Sequence, residues 1–155
     1  MPERSETVLM GIDFGLKKTG IAIGQTISCT ANPLDILPSK PVHLFWEGLQ
    51  NLVRQWRPDA FVLGVPRSGL ERKHPLIPGI IRLSRRLQQE YRKPVYLVDE
   101  QLTSHEAAQQ LSPKQKKALL RKQFALDSIA AKIILETWLK NPHNHLQLDE
   151  LEKSL

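Results

Sequence analysis

Apolar residues fall first into short continuous runs bounded by turn-forming residues, and later into longer stretches with helical spacing. Val8-Leu-Met-Gly-Ile-Asp-Phe14, closed by Gly15, predicts a strand buried on both faces, with its single carboxylate, Asp13, near the C-terminal end. Thr19 to Gln25 predicts a second strand, with Leu16-Lys-Lys18 short enough to close a hairpin. A third strand is predicted between Thr30 and Leu37, with Pro33 and Pro38 counting against it. Between Val42 and Trp56 the residues Phe45, Leu49, Leu52, Val53 and Trp56 recur at helical spacing before Pro58.

Ala60 to Gly64 reads as another buried strand, followed by a Pro-, Gly- and charge-rich loop from Val65 to about Pro78. The next helix gathers Ile77, Ile80, Ile81, Ser84, Leu87 and Tyr91 on one side. Val95 to Glu100 then predicts a strand. Thr103 with Glu106 has capping-box spacing, Ser112-Pro113 resembles a second helix start, and a last helix runs from about Phe124 to Lys140. Strands first, then strand and helix in alternation, predict an α/β fold: a mixed sheet flanked by helices. One domain over 1–140 and a C-terminal tail over 141–155 account for the whole length.

Composition changes the picture in three ways. With 41% hydrophobic and 25% charged residues, the chain has the makeup of an ordinary globular domain. A single cysteine, Cys29, allows no internal disulfide and suits a reducing, cytoplasmic location. The first apolar run is interrupted by Asp13, which excludes a signal core or a membrane span there. The net charge of +6 is uneven: residues 141–155 carry one lysine against three acids, a local −2, which leaves +8 on the remainder. Surplus positive charge favours a polyanionic partner, nucleic acid above all.

Asp13 and Glu100 both end apolar strands, where ligands of open α/β sheets collect. Asp127 falls within about 60° of Ala130, Ala131, Ile134 and Trp138 on the helix wheel, so its carboxylate is expected on the apolar, sheet-facing side. Three convergent carboxylates repel one another unless a divalent cation joins them, and oxygen-only ligands favour Mg²⁺ or Mn²⁺ over zinc. Cations stand nearby in sequence: Lys17, Lys18, Arg67, Arg72 and the run from Lys114 to Lys122. Acids for metal beside cations for phosphate are what metal-assisted phosphodiester hydrolysis requires. Asp127 has a plainer reading as a helix-dipole residue, Lys17 and Lys18 as a solvated hairpin, and His74 and His105 as surface histidines. Trp46, Trp56 and Trp138 follow core spacing rather than a base-stacking pattern.

Four segments carry a resemblance. Gly11-Ile-Asp-Phe-Gly-Leu-Lys-Lys-Thr-Gly20, Leu63-Gly-Val-Pro66, Asp99-Glu-Gln-Leu-Thr103 and Asp127-Ser-Ile-Ala-Ala131 resemble, in order, the signature segments of the YqgF family of Holliday-junction resolvases, also described as pre-16S ribosomal RNA nucleases. The resemblance implies a ribonuclease-H-like fold and an endonuclease acting on an rRNA precursor or branched DNA. It assigns the catalytic, metal-binding acids to Asp13, Glu100 and Asp127. Two departures stand out: Gln101 replaces the family's usual arginine, and Arg67 to His74 replaces its usual Asn- and Asp-Gly-bearing loop. Two rivals remain open at this point, a non-catalytic nucleic-acid-binding module and an actin-like ATPase suggested by Asp13-Phe-Gly-x4-Gly20. A homodimer is also open.

Overall fold

The computed structural model describes residues 7–66, 75–99 and 123–140, with the backbone alone for 99 and 123–128. The elements in chain order are β1 (Val8–Asp13), β2 (Lys18–Gln25), β3 (Thr30–Pro38), α1 (Val42–Trp56), β4 (Ala60–Val65), α2 (Ile77–Tyr91), β5 (Val95–Asp99) and α3 (Gln123–Lys140). They follow the apolar pattern closely. The capping-box and Ser112-Pro113 segments, Glu100 and the 141–155 tail lie outside the described residues.

Five strands form one sheet in the order β3-β2-β1-β4-β5. β1, β2 and β3 are successive antiparallel neighbours, whereas β1, β4 and β5 run parallel. β1 is therefore the central strand, and its residues 9–12 are buried, as a run apolar on both faces requires. The prolines that counted against β3 are accommodated by its place at the sheet edge. The register shifts by one residue opposite Ile21 and Ala22, which pair with Asp35 and Pro33, so Leu34 bulges between them.

Strand alternation sends side chains to two cores. Met10, Ile12, Ile21, Phe61, Leu63 and Leu97 join residues of α1 and α2 on one face. Leu9, Ala22, Ala31, Ala60, Val62 and Val98 join Ala131, Ile134, Leu135 and Trp138 of α3 on the other. The second face mixes alanines and glycines with Leu9, Val62 and Val98, and α3 lies close upon it. A Cβ added to Gly11 would stand 3.0 Å from both the Ala131 carbonyl oxygen and the Leu135 Cβ, and one on Gly24 would stand 2.9 Å from Leu135 Cδ2.

α1 and α2 end alike. Arg57 and Arg92 adopt left-handed conformations, with φ of 47° and 53°, and their N–H groups return to Val53 and Gln88 carbonyls. Pro58 and Pro94 then prevent the helices from continuing. Trp46 and Trp138 are buried as the spacing predicts. Trp56 is not: it is the last residue of α1 and remains 38% exposed, because the chain turns away at Arg57 before the sheet can cover it.

Candidate active site

Asp13 closes β1 at its C-terminal end. Leu9 packs with α3 and Gly11 abuts it, so Asp13, two residues further along, follows them to the α3 face. It is partly buried and is not without a partner. Its neighbours in the sheet are glycines. Gly20 is its register partner on β2, and Gly64 follows Leu63, the partner of Ile12, on β4. The residues flanking it on both strands therefore bring no side chain of their own against the carboxylate. Both glycines sit in the sequence segments discussed above. Their role beside Asp13 becomes visible only once the register is known.

The direction of α3 locates Asp127. Ala131 lies over Gly11, while Leu135, one turn later, also meets Gly24, the register partner of Leu9. Advancing along α3 is thus retreating along β1. Backbone position 127, one turn before Ala131, accordingly lies toward the Asp13 end of the strand. Tyr96 and Val98 face α3 from β5, and Glu100 is next in that parity of the sequence, just outside the described residues. Arg67, Arg72, His74, His105 and the Lys114–Lys122 run also fall outside them.

Lys17 and Lys18 are exposed at the same end of the sheet, in and just after the turn joining β1 to β2. That turn is anchored from beneath. The buried Ser39 hydroxyl donates to the Gly15 carbonyl at 2.6 Å, and the Ser39 N–H donates to the Lys17 carbonyl at 2.9 Å. With its proton so used, the Ser39 hydroxyl accepts from the buried Thr19 hydroxyl at 2.8 Å. A Cβ on Gly15 would run into the Lys18 carbonyl, so the turn closes only around glycine. Phe14 points the opposite way from Asp13. A Cβ on Gly79 would lie 2.5 Å from its Cε2, which places the ring tightly against α2.

A family model described as RuvX, Holliday junction resolvase, matches residues 7–141. The chain belongs to the RuvX family of Holliday junction resolvases. Its relatives agree. A Hydrogenovibrio crunogenus protein provisionally named pre-16S rRNA nuclease is 39% identical over 139 residues, 90% of this chain and 98% of its own length. Provisionally named pre-16S rRNA nucleases of Legionella pneumophila and Coxiella burnetii are 35% and 34% identical over 86% and 93% of this chain, and over 95% and 99% of their own.

Among solved structures, Thermus thermophilus RuvC in complex with a Holliday junction substrate matches with a TM-score of 0.55 at 15% identity, over 90% of this chain and 99% of that one. The fowlpox virus Holliday junction resolvase matches with a TM-score of 0.56 at 15% identity, over 87% and 99%. These likenesses establish the ribonuclease-H-like fold of the RuvX chain. Family membership bears out the reading as a nuclease, and enzymes of this family and fold are generally dependent on a divalent metal.

Proposed function

We propose that this RuvX-family chain is a cytoplasmic endonuclease that uses Mg²⁺ or Mn²⁺ to hydrolyse phosphodiester bonds in structured nucleic acid, a pre-16S rRNA 5′ end or a branched DNA junction. The observation that carries the reading is Asp13: a carboxylate at the end of the central strand, flanked by Gly20 and Gly64, on the face that α3 approaches closely. A carboxylate oxygen donor at a strand end, between glycines, fits a hard divalent cation. Asp13, Glu100 and Asp127 are the residues that would hold it. When bound, the cation supplies Lewis acidity toward the scissile phosphate and acidifies water.

The remaining work falls to the chain itself. The Ser39-Gly15-Thr19 network fixes the turn that presents Lys17 and Lys18, so their charges are available to the phosphate backbone beside the acids, with Arg67 a third contact. No described helix is long and apolar enough to cross a membrane.

The test is cleavage of a four-way DNA junction and of a pre-16S rRNA 5′ fragment by wild-type and Asp13→Asn protein in Mg²⁺, Mn²⁺ or EDTA. Cleavage of either substrate by the wild type with metal, abolished in the variant, is expected. Metal should also raise the melting temperature of the wild type and not of the variant, since a ligand bound only by the native state stabilises it. Tight binding of both substrates without cleavage in either metal would instead identify a binding module.

A further inference from the structure

Asp13 and Phe14 are consecutive residues on opposite faces of the sheet, and Phe14 opens onto a concavity. A cavity of about 400 Å³ lies between the turn after β1 and helices α1 and α2, within the roughly 300–1,000 Å³ range of small-molecule sites. Its apolar wall includes Phe14, Phe45 and Trp46, and its polar lining includes Lys40, Arg82 and Arg86. None of the described residues lining it is acidic. Leu16 and Val42, also at the cavity, remain 49% and 59% exposed, so apolar surface is left at its mouth.

Arg86 is held in place. Its guanidinium carbon stands 3.9 Å from the centroid of the Trp46 ring, and its Nε donates to Glu90 Oε1 at 2.7 Å. Trp46 is in turn set by an edge-on contact with Phe45, at 5.5 Å between centroids and 81° between planes. One face of the guanidinium is thus covered by indole, while the side chain as a whole is 42% exposed. A planar cation fixed by stacking on one side is a ready platform for a second flat group on the other. Arg82 lies one helical turn away and lines the same cavity with Lys40. A flat apolar group joined to an anion is the chemistry this arrangement fits.

We propose that the cavity receives one unpaired nucleotide of the nucleic-acid substrate, its base stacked against the Arg86 guanidinium and its phosphate held by Arg82 and Lys40. The polymer follows from the position: a strand crossing the end of the sheet meets Asp13 on one face and Phe14 on the other, so one nucleotide can enter the cavity while a neighbouring phosphate lies at the acids. The inference rests on the nuclease reading for the polymer alone; the cavity's affinity is measured without metal and without cleavage.

The experiment is anisotropy of a fluorescein-labelled single-stranded hexanucleotide, in EDTA, across a salt series. Arg86→Ala should weaken binding roughly tenfold, the order expected for one lost base-stacking contact. Arg86→Lys should keep the salt slope and still lose most of that affinity. Arg82→Ala should reduce the slope by about one phosphate contact, and it stands in as the test should Arg86→Ala fail to fold by circular dichroism. Lys93→Ala, a charge-matched change at the other end of the sheet, should alter affinity less than about twofold.

Equal losses in Arg86→Ala and Lys93→Ala, or full affinity in Arg86→Lys, would overturn the proposal, because bulk charge would then explain the binding. Tighter binding of a free nucleoside monophosphate than of the hexanucleotide would overturn it too, assigning the cavity to a small molecule. The two readings fail separately. Arg86-dependent binding without cleavage in Mg²⁺ or Mn²⁺ sinks only the nuclease, and cleavage with Arg86-independent binding sinks only the cavity.

Discussion

The two faces of the sheet are made of different material. Toward α3 the strands present Gly11, Ala22, Gly24, Ala31 and Ala60 beside Leu9, Val62 and Val98, and the helix backbone comes within contact of β1. Toward α1 and α2 they present Met10, Ile12, Ile21, Phe61 and Leu63, and a cavity lies at the sheet's end between these helices and the turn after β1. In the function proposed above, close approach lets carboxylates on different elements converge. In the nucleotide proposal, the recess on the other face admits a flat group. The contrast also says how each face should break, by deletion of volume on one and by addition of volume on the other.

The largest effect is expected from deletion on the α1/α2 face. Phe61→Ala removes a fully buried ring that also packs against Tyr91, at 5.7 Å between centroids, and should cost about 3–5 kcal/mol. Urea unfolding should show the midpoint falling with little change in slope.

On the α3 face, the same measurement should show that a single added methyl destabilises. Gly11→Ala forces its Cβ against backbone and near-backbone atoms of α3 that cannot rotate away, at a cost of about 1–3 kcal/mol. By lifting α3 it should also weaken the thermal stabilisation given by Mg²⁺. A Gly11→Ala protein as stable as wild type, with full metal response, would break the contrast between the faces.

Ser39→Ala sharpens the comparison at the turn that the two faces share. It leaves the Gly15 carbonyl without its hydroxyl donor and the Thr19 hydroxyl without its acceptor, which should cost about 1–3 kcal/mol. Nucleic-acid affinity should fall with it, because Lys17 and Lys18 lose their fixed placement. Unaltered affinity in a destabilised variant would detach the lysines from binding.

The smallest effect concerns Tyr91, on the α1/α2 side. Its hydroxyl is buried with no hydrogen-bond partner among the described residues, and burial first, then the nearby Glu90 charge, raises its pKa above 10.0, with Arg86 and Arg54 opposing. Folding therefore favours the protonated phenol. That contribution is complete below pH 10 and is lost as the pH rises through the ionisation of the unfolded and then the folded state. Tyr91→Phe should be at least as stable as wild type near neutrality and should lose less stability above pH 10 in thermal melts.

Much of this was legible along the chain. Val8–Asp13, Val42–Trp56 and Ile77–Tyr91 announce themselves by period, because burial on both faces or on one helical stripe imposes a local rule on residue type. Asp13 stands out as a charge at the end of an apolar run for the same reason. Trp56 was misplaced because a helical wheel does not say where the sheet ends. Glu100 and Arg67 lie outside the described residues, and Asp127 is described only through its backbone.

What the sequence determined by itself was the run of described elements and the acid, Asp13, at the end of β1, since both follow from neighbours within a few residues. The sheet order, the register that sets Gly20 and Gly64 beside Asp13, and the partition of small and large residues between two faces were decided only by the tertiary structure. So was the meeting of Phe14, Lys40, Trp46 and Arg86 around one cavity. Each depends on contacts between residues far apart in the chain. Alternation fixes which side chains share a face, but not which helix will cover that face or how near it will come.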